Sequence, residues 1–506
     1  MHLTKLAEEL GDKPAVVMGE TGESLSYVEL EAASNRIAHV FADLGLSVGD
    51  HIAILMENRL EMLPVVWAAQ RSGLYFTPVN WHLTPDEAVY IVDNCDAAVL
   101  ISTPLLDDLA RECISRASRE ITLLSVGGSL DELAANASPA PRPEEVEGIY
   151  MFYSSGTTGR PKGILPALSR DPFGTGLAIE HTMAGAFGFG RDTVYLSPGP
   201  LYHAAPLGWT VGTIRNGGTA ILMERFDAER ALSLIQRHAV TAAQFVPTMF
   251  VRMLKLDDRI RASYDVSSLR IVIHAGAPCA IDVKRKMIDW LGPILVEFYS
   301  GSEGTGFFMV DSQTWLQRPG TVGKAILGTV HIADDEGTEL PTGDTGIVWF
   351  GDVKRFTYHG DPAKTASVWN DKGWNTLGDL GHVDDEGYLY LSDRRTDLII
   401  SGGVNIYPRE VEEALILHPA VDDIVVIGAA DEEFGQRVHA FVQPAPSAAG
   451  RPDLEVELSS YARERLAGFK VPRGWTFIAE IPRLPSGKVL RRSLPALVTS
   501  SKNLDK

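Results

Sequence analysis

Ser154-Ser155-Gly156-Thr157-Thr158-Gly159-Arg160-Pro161-Lys162-Gly163 holds three glycines, four hydroxyls and two cations in ten residues, with no large apolar side chain. It follows Gly148 to Tyr153, a short apolar run that reads as a buried strand. Glycines let successive backbone N–H groups turn inward and approach an anion closely. The hydroxyls add donors, and Arg160 and Lys162 add charge. The chemistry is that of a phosphate cradle. It is not a Walker A loop, because Pro161 stands where the second glycine of G-x-x-x-x-G-K-[ST] belongs. On composition alone, a Gly/Ser/Thr surface loop is an equal reading.

The chain around it has 506 residues, enough for a large core and more than one domain. Hydrophobic content of 45% and charged content of 22% are those of an ordinary globular protein. A net charge of −20 argues against a nucleic-acid partner, whose phosphates it would repel. Cys95, Cys113 and Cys279 lack C-x-x-C spacing and read as reduced thiols, so a cytoplasmic location is expected. Met1 to Asp12 carries acids and no apolar run, so no signal peptide is expected. No stretch of about 18 apolar residues is present, so no transmembrane segment is expected.

Strand and helix signals alternate from the N-terminus. Ser26 to Glu29 has capping-box spacing, with Leu30, Ala33, Ile37, Val40 and Phe41 following at helical period. His51 to Met56, Phe76 to Asn80 and Ala97 to Ile101 read as strands, separated by helices over 60–72 and 84–94. That alternation predicts a parallel, layered α/β sheet. It pauses at Asp171 to Gly190, a Gly/Ala/Phe-rich stretch with no clear assignment, and resumes from Thr219 to Tyr299. From Gly320 to Tyr390 short strands between D-E-G and T-G-D turns indicate a β-rich subdomain. After Arg394 the pattern is that of a compact unit of about 110 residues, a domain-sized length.

Six motifs recur along the chain in a fixed order. They are Tyr153-Ser-Ser-Gly-Thr-Thr-Gly-Arg-Pro-Lys-Gly163, Pro200-Leu-Tyr-His-Ala-Ala-Pro206, Tyr299-Ser-Gly-Ser-Glu303, Trp374-Asn-Thr-Leu-Gly-Asp379, Asp393-Arg-Arg-Thr-Asp-Leu-Ile-Ile-Ser-Gly-Gly403 and Pro485-Ser-Gly-Lys488. In this the chain resembles the adenylate-forming superfamily over nearly its whole length, and most of all its acyl-CoA synthetases. The resemblance implies an α/β fold with a large N-terminal domain, residues 1–395, of layered α/β subdomains plus the β-rich subdomain. A small mobile C-terminal α+β domain, residues 396–506, completes it. It implies an ATP-dependent acid–CoA ligase using Mg²⁺, which joins a small carboxylic acid, medium- or long-chain fatty acids first, to coenzyme A through an acyl adenylate. Two alternatives are another acceptor, such as a carrier-protein thiol, and aryl or steroid-side-chain acids. A non-catalytic nucleotide binder is disfavoured by Glu303, Asp379 and Lys488. The resemblance allows a homodimer.

Carried over residue by residue, Ser154, Ser155, Gly156, Thr157, Thr158, Gly159 and Lys162 would hold the β- and γ-phosphates. Glu303 would hold Mg²⁺, a hard oxygen ligand for a hard cation. Ser302, at a position usually Thr, would touch the α-phosphate. Tyr299 would stack near adenine, with Gly276, Ala277 and Pro278 passing along the base. Asp379 would accept the ribose hydroxyls and Arg394 would contact the ribose and phosphates. Leu377 stands where relatives usually carry Thr, which removes one hydrogen bond near the ribose. Lys488 would bridge the acyl carboxylate and α-phosphate, stabilising charge at the pentacoordinate phosphorus. Thr396 takes the hinge position that is Asp or Lys in most members, and Gly402 and Gly403 would line the pantetheine tunnel after domain rotation. His203 resembles the aromatic gate beside the carboxylate. Trp209, Thr210, Val246, Pro247, Gly301 and Thr305 are the expected pocket walls. Leu201 to Gly212 contains no acid, which disfavours an amino-acid substrate.

Overall fold

The computed structural model describes residues 1–154, 161–334, 336–394, 397–431, 433–483, 489–495 and 497–498, with the side chains of 393, 394 and 492 outside that description. His51–Leu55, Tyr75–Val79 and Ala97–Ser102 form, with Thr122–Ser125 and Ile149–Tyr150, an all-parallel five-stranded sheet. Its central strand reads Ile52-Ala53-Ile54-Leu55, every residue without solvent exposure. Such an uninterrupted apolar run belongs to a strand covered on both faces. The helices that cover it start where the sequence indicates. Ser26 and Glu29 bond reciprocally at the start of Tyr27–Asp43, and Thr84 and Glu87 do the same for Pro85–Asn94. Each pair satisfies donors that a helix N-terminus leaves free.

A larger sheet of 13 strands follows. One half is parallel and contains Pro14–Met18, Thr219–Leu222, Val194–Ser197, Ala242–Phe245, Ile271–His274 and Leu295–Tyr299. Phe307–Asp311 pairs antiparallel with the last of these and carries the sheet on through Thr321–Leu327, Leu389–Arg394, Asn375–Val383, Gly346–Gly351 and Thr329–Ala333. The β-rich subdomain is therefore an antiparallel extension of the same sheet. Asp171 to Gly190, unassigned in the sequence, contains the helix Ala178–Phe187.

Gly148 to Tyr153 is not one strand. Ile149–Tyr150 joins the five-stranded sheet, and Phe152–Ser154 pairs antiparallel with Lys162–Leu165, itself paired to Thr357–Tyr358. Met151, fully buried, lies between the two. A Cβ on Gly148 would lie 2.5 Å from the carbonyl oxygen of Leu74 and 2.6 Å from that of Ala69. Only glycine lets the backbone pass there.

Beyond residue 397 a separate five-stranded sheet contains Ile399–Ser401, Val404–Ile406, Val421–Asp431, Gly435–Pro444 and Gly474–Phe477. Helices Pro408–Leu415 and Leu454–Arg463 pack on it through Val411, Leu415, Leu458 and Ala462. The two longest strands of the sheet, Val421–Asp431 and Gly435–Pro444, pair antiparallel along nearly their whole length. Among the described residues, no helix is long and apolar enough to cross a membrane. All three cysteines are buried, and burial raises the Cys113 thiol to about 11.

Candidate active site

A cavity of about 1990 Å³ opens beyond the carboxyl ends of the parallel strands and runs between the two units of the chain. This is where open α/β sheets place ligands, because strand-to-helix loops there expose backbone groups without strand partners. The loops after Val194–Ser197, Ala242–Phe245, Ile271–His274 and Leu295–Tyr299 contribute Pro200, Val246, Gly276 and Gly301 to its lining.

The cradle hairpin sits at one end. Ser154 and Lys162 are register partners at its mouth, and both line the cavity. Ser155, Gly156, Thr157, Thr158 and Gly159 lie outside the described residues. The Lys162 ammonium stands 5.7 Å from the centre of the Tyr358 ring, whose hydroxyl donates to Glu303 Oε1 at 3.1 Å. Burial lowers the Lys162 pKa, the neighbouring Lys364 lowers it further, and Asp361 and Glu303 oppose both. Lys162, Lys364, Tyr358 and Glu303 thus line one stretch of the cavity wall, where two ammonium groups and a carboxylate face the same volume. Tyr358 and Lys364 were not found from sequence, since each is a lone residue outside any motif.

Glu303 is half-buried, and Ser302 beside it is exposed and lines the cavity. Among the described residues no group of three or more His, Cys, Asp or Glu could enclose a metal ion. One accessible carboxylate in a cavity that also holds Lys162 and Lys364 fits a Mg²⁺ that would keep most of its water and take other ligands from a phosphate substrate.

Also in the cavity wall, the Tyr299 hydroxyl donates to Asp379 Oδ2 at 2.6 Å, and Asp379 is 9% exposed. Asp379 faces Arg394 in strand register, though the Arg394 side chain is outside the described residues. Gly276, with φ of +85°, Ala277 and Pro278 line the cavity as a loop. Tyr299 thus orients the Asp379 carboxylate through its hydroxyl, while its ring lies near Phe308 and Phe350 at 5.8 and 6.0 Å. Leu377 also lines the cavity, and its two terminal methyls fill the space that a side chain at Gly301 would need.

His203 occupies the N-cap position of the helix Ala204–Arg215 and lines the cavity beside Tyr202, ring centres 4.6 Å apart. Trp209, 1% exposed, packs against Phe187, Phe189 and Phe298 at 5.1, 5.4 and 6.1 Å. Phe298 stacks on Phe307 at 5.1 Å. Trp209, Phe298, Phe307, Val246, Pro247 and Gly301 are all in the wall. Two expected wall residues are not. Thr210 is fully buried, with its hydroxyl donating to the Pro206 carbonyl at 2.7 Å and bonded to Ser197 Oγ at 3.1 Å. One helical step from Trp209 turns its side chain about 100° away from the cavity. Thr305 is also fully buried and outside the lining.

From the C-terminal unit, Arg483, Val489, Leu490 and Arg491 reach the cavity. They flank residues 484–488, so Lys488 lies outside the described residues while the chain on both sides of it is at the site. Thr396 also lies outside them. Gly402 and Gly403, with φ of +57° and +81°, form an exposed turn away from the cavity.

A family model for AMP-binding enzymes matches residues 3–354, and one for the AMP-binding enzyme C-terminal domain matches 410–488. A fatty acid–[acyl-carrier-protein] ligase of Streptomyces coeruleorubidus is 33% identical over 95% of this chain and 92% of its own. A feruloyl-CoA synthase of an Amycolatopsis species is 34% identical over 94% of each. Among solved structures, the o-succinylbenzoate CoA synthetase of Bacillus subtilis with its acyl-adenylate intermediate superposes with a TM-score of 0.79, at 27% identity over 97% of both chains. The chain belongs to the AMP-binding enzyme family, and within it to the acid–thiol ligases.

Proposed function

We propose that the chain is an ATP-dependent acid–CoA ligase for an apolar monocarboxylic acid, medium- or long-chain fatty acids first. The observation that carries this reading is one continuous cavity. It has a cationic end at Lys162 and Lys364, a ribose-side carboxylate at Asp379, and an apolar wall of Trp209, Phe298 and Phe307. A free carboxylate is a poor acyl donor. In the first step its oxygen bonds to the α-phosphorus of ATP, the bond to the β-phosphate oxygen breaks, and pyrophosphate leaves. In the second, the coenzyme A sulfur bonds to the acyl carbon, its proton is lost, and AMP departs.

Lys162 and the donors of the cradle hold the leaving pyrophosphate, so their work is orientation and charge balance. Asp379, held by Tyr299, fixes the ribose. His203, which lines the same cavity, is the gate beside the acyl carboxylate. Lys488 balances charge at the α-phosphate. Mg²⁺ at Glu303 would draw the phosphate charge together and make pyrophosphate a better leaving group. The boundary at 395/396 belongs to this proposal, supported by the separate sheets before and after it. So does the cytoplasmic location, supported by three buried free thiols.

The ring-lined wall favours a second substrate reading, an aryl acid, in keeping with the feruloyl and o-succinylbenzoate activities named for two relatives. The deciding experiment is AMP release from ATP with octanoate, palmitate, benzoate and ferulate, each with and without coenzyme A. Acid-dependent release that coenzyme A accelerates is expected, and the best acid fixes the class. Release indifferent to coenzyme A would reject it as acceptor and favour a carrier-protein thiol.

A further inference from the structure

The helix Pro247–Leu254 begins at the cavity wall and ends at Lys255, which leans across to the C-terminal unit. The Lys255 ammonium donates to the backbone carbonyls of Val421 and Asp422 at 2.5 and 2.6 Å. These residues open the strand Val421–Asp431. The next residue, Asp423, holds the Arg483 guanidinium through Nε and Nη2 at 2.5 and 2.7 Å. Arg483 in turn forms an antiparallel bridge with Val489, and the Leu490 N–H donates to Pro482 at 2.8 Å. The Asp422 carboxylate adds a parallel route, accepting from the Gln443 amide at 2.6 Å, while Gln443 Oε1 accepts from the Ile481 N–H at 3.1 Å. On the far side of 484–488, Arg491 bonds Glu412 at 2.9 and 3.2 Å and lies 3.3 Å from Asp397.

Residues 483 and 489 are therefore fastened to the start of one strand, and Lys255 grips that start from the N-terminal unit. The other contacts across this seam include Ile416 and Leu417, which pack on the apolar cluster containing Phe250 and Met287. Apolar packing holds two surfaces together without fixing their register. Two charge-assisted hydrogen bonds to adjacent carbonyls do fix it.

We infer that Lys255 is a positioning residue for adenylate formation, setting the register between the nucleotide cavity and the chain segments on either side of Lys488. The inference rests on the acid–thiol ligase reading above. Lys488 is needed where charge builds on the α-phosphate, so a loss of register should slow the first step. Transfer of the acyl group from a ready-made adenylate to a thiol should be unaffected.

The test uses the full chain and the best acid of the panel. Acid-dependent exchange of pyrophosphate into ATP reads the first step, and thioester formation from the synthetic acyl adenylate and coenzyme A reads the second. In Lys255→Met, exchange should fall by about tenfold or more, since small misplacements of reacting groups cost rates of that order. The second step should stay within about twofold, and Lys255→Arg, which keeps the charge and donors in a different geometry, should recover part of the exchange that Lys255→Met loses. Exchange in Lys255→Met equal to the parent, or both steps falling together, would overturn the inference alone. A parent chain that exchanges with no acid would overturn the ligase reading and this inference with it.

Discussion

Gly301 has no backbone reason to be glycine, since its φ is not in the left-handed region. Its surroundings supply the reason. A Cβ there would stand 2.9 Å from both terminal methyls of Leu377 and 2.9 Å from Glu303 Oε2. Gly301→Ala should therefore displace the carboxylate next to the phosphates and lower kcat by about tenfold, the scale of small misplacements. Adding Leu377→Ala frees one side and should recover several-fold of it. Steady-state AMP release checks both variants, and a double variant no better than the single one would refute this account. The sequence exposes Leu377 as a departure from its relatives, yet only the fold shows that it fills the space beside Gly301. Tyr358 is the reverse case. Its hydroxyl holds Glu303 from 55 residues away along the chain, and no local pattern marks it.

At the scale of elements, the helix Ala204–Arg215 shows how a site is held from behind. Its first turn presents His203 to the cavity, and its last residue, Arg215, is 1% exposed. The Arg215 guanidinium meets Glu147 at 2.8 Å and Glu180 at 3.0 Å, and lies 4.6 Å from the centre of the Trp67 ring. Glu147 precedes the strand that leads into the cradle, and Glu180 belongs to the helix Ala178–Phe187, which lines the cavity through Ala178, Ile179 and Thr182. One cation thus ties three site-bearing elements together. Removing it strands two buried carboxylates, so Arg215→Met should cost about 3–5 kcal/mol. A urea midpoint corresponding to a loss below about 1 kcal/mol would contradict that. None of this was legible in advance, because charges scattered at 147, 180 and 215 look like surface residues until the chain folds. Capped helices and apolar strands were legible, since their signals are local. The run Gly148 to Tyr153 misled because apolar character alone does not say which sheet a strand joins.

At the scale of the whole molecule, burial leaves several histidines neutral. His439 is 4% exposed and burial lowers it from 6.5 to about 4, with Arg437 adding to the shift. A folded pKa below the unfolded one means that the unfolded chain takes up the proton first as pH falls. The stability it contributes is complete above pH 6.5 and is lost progressively down to about 4. At pH 5 the loss is about 1–2 kcal/mol for this one residue. The fall in Tm from pH 7.5 to pH 5 should therefore be smaller in His439→Gln than in the parent. Equal falls would show that His439 carries none of it.

The sequence by itself determined the alternation of capped helices and apolar strands, and the order of the six motifs that mark the family. Each of these is written in neighbouring residues, through period, capping or glycine content. The tertiary structure alone decided that the β-rich stretch continues the parallel sheet. It alone decided that Thr210 turns away from the cavity while Trp209 forms its wall, and that Tyr358, Lys364 and Lys255 belong to the site and its seam. Those facts depend on which distant segments pack together, and long-range packing leaves no local periodicity to read.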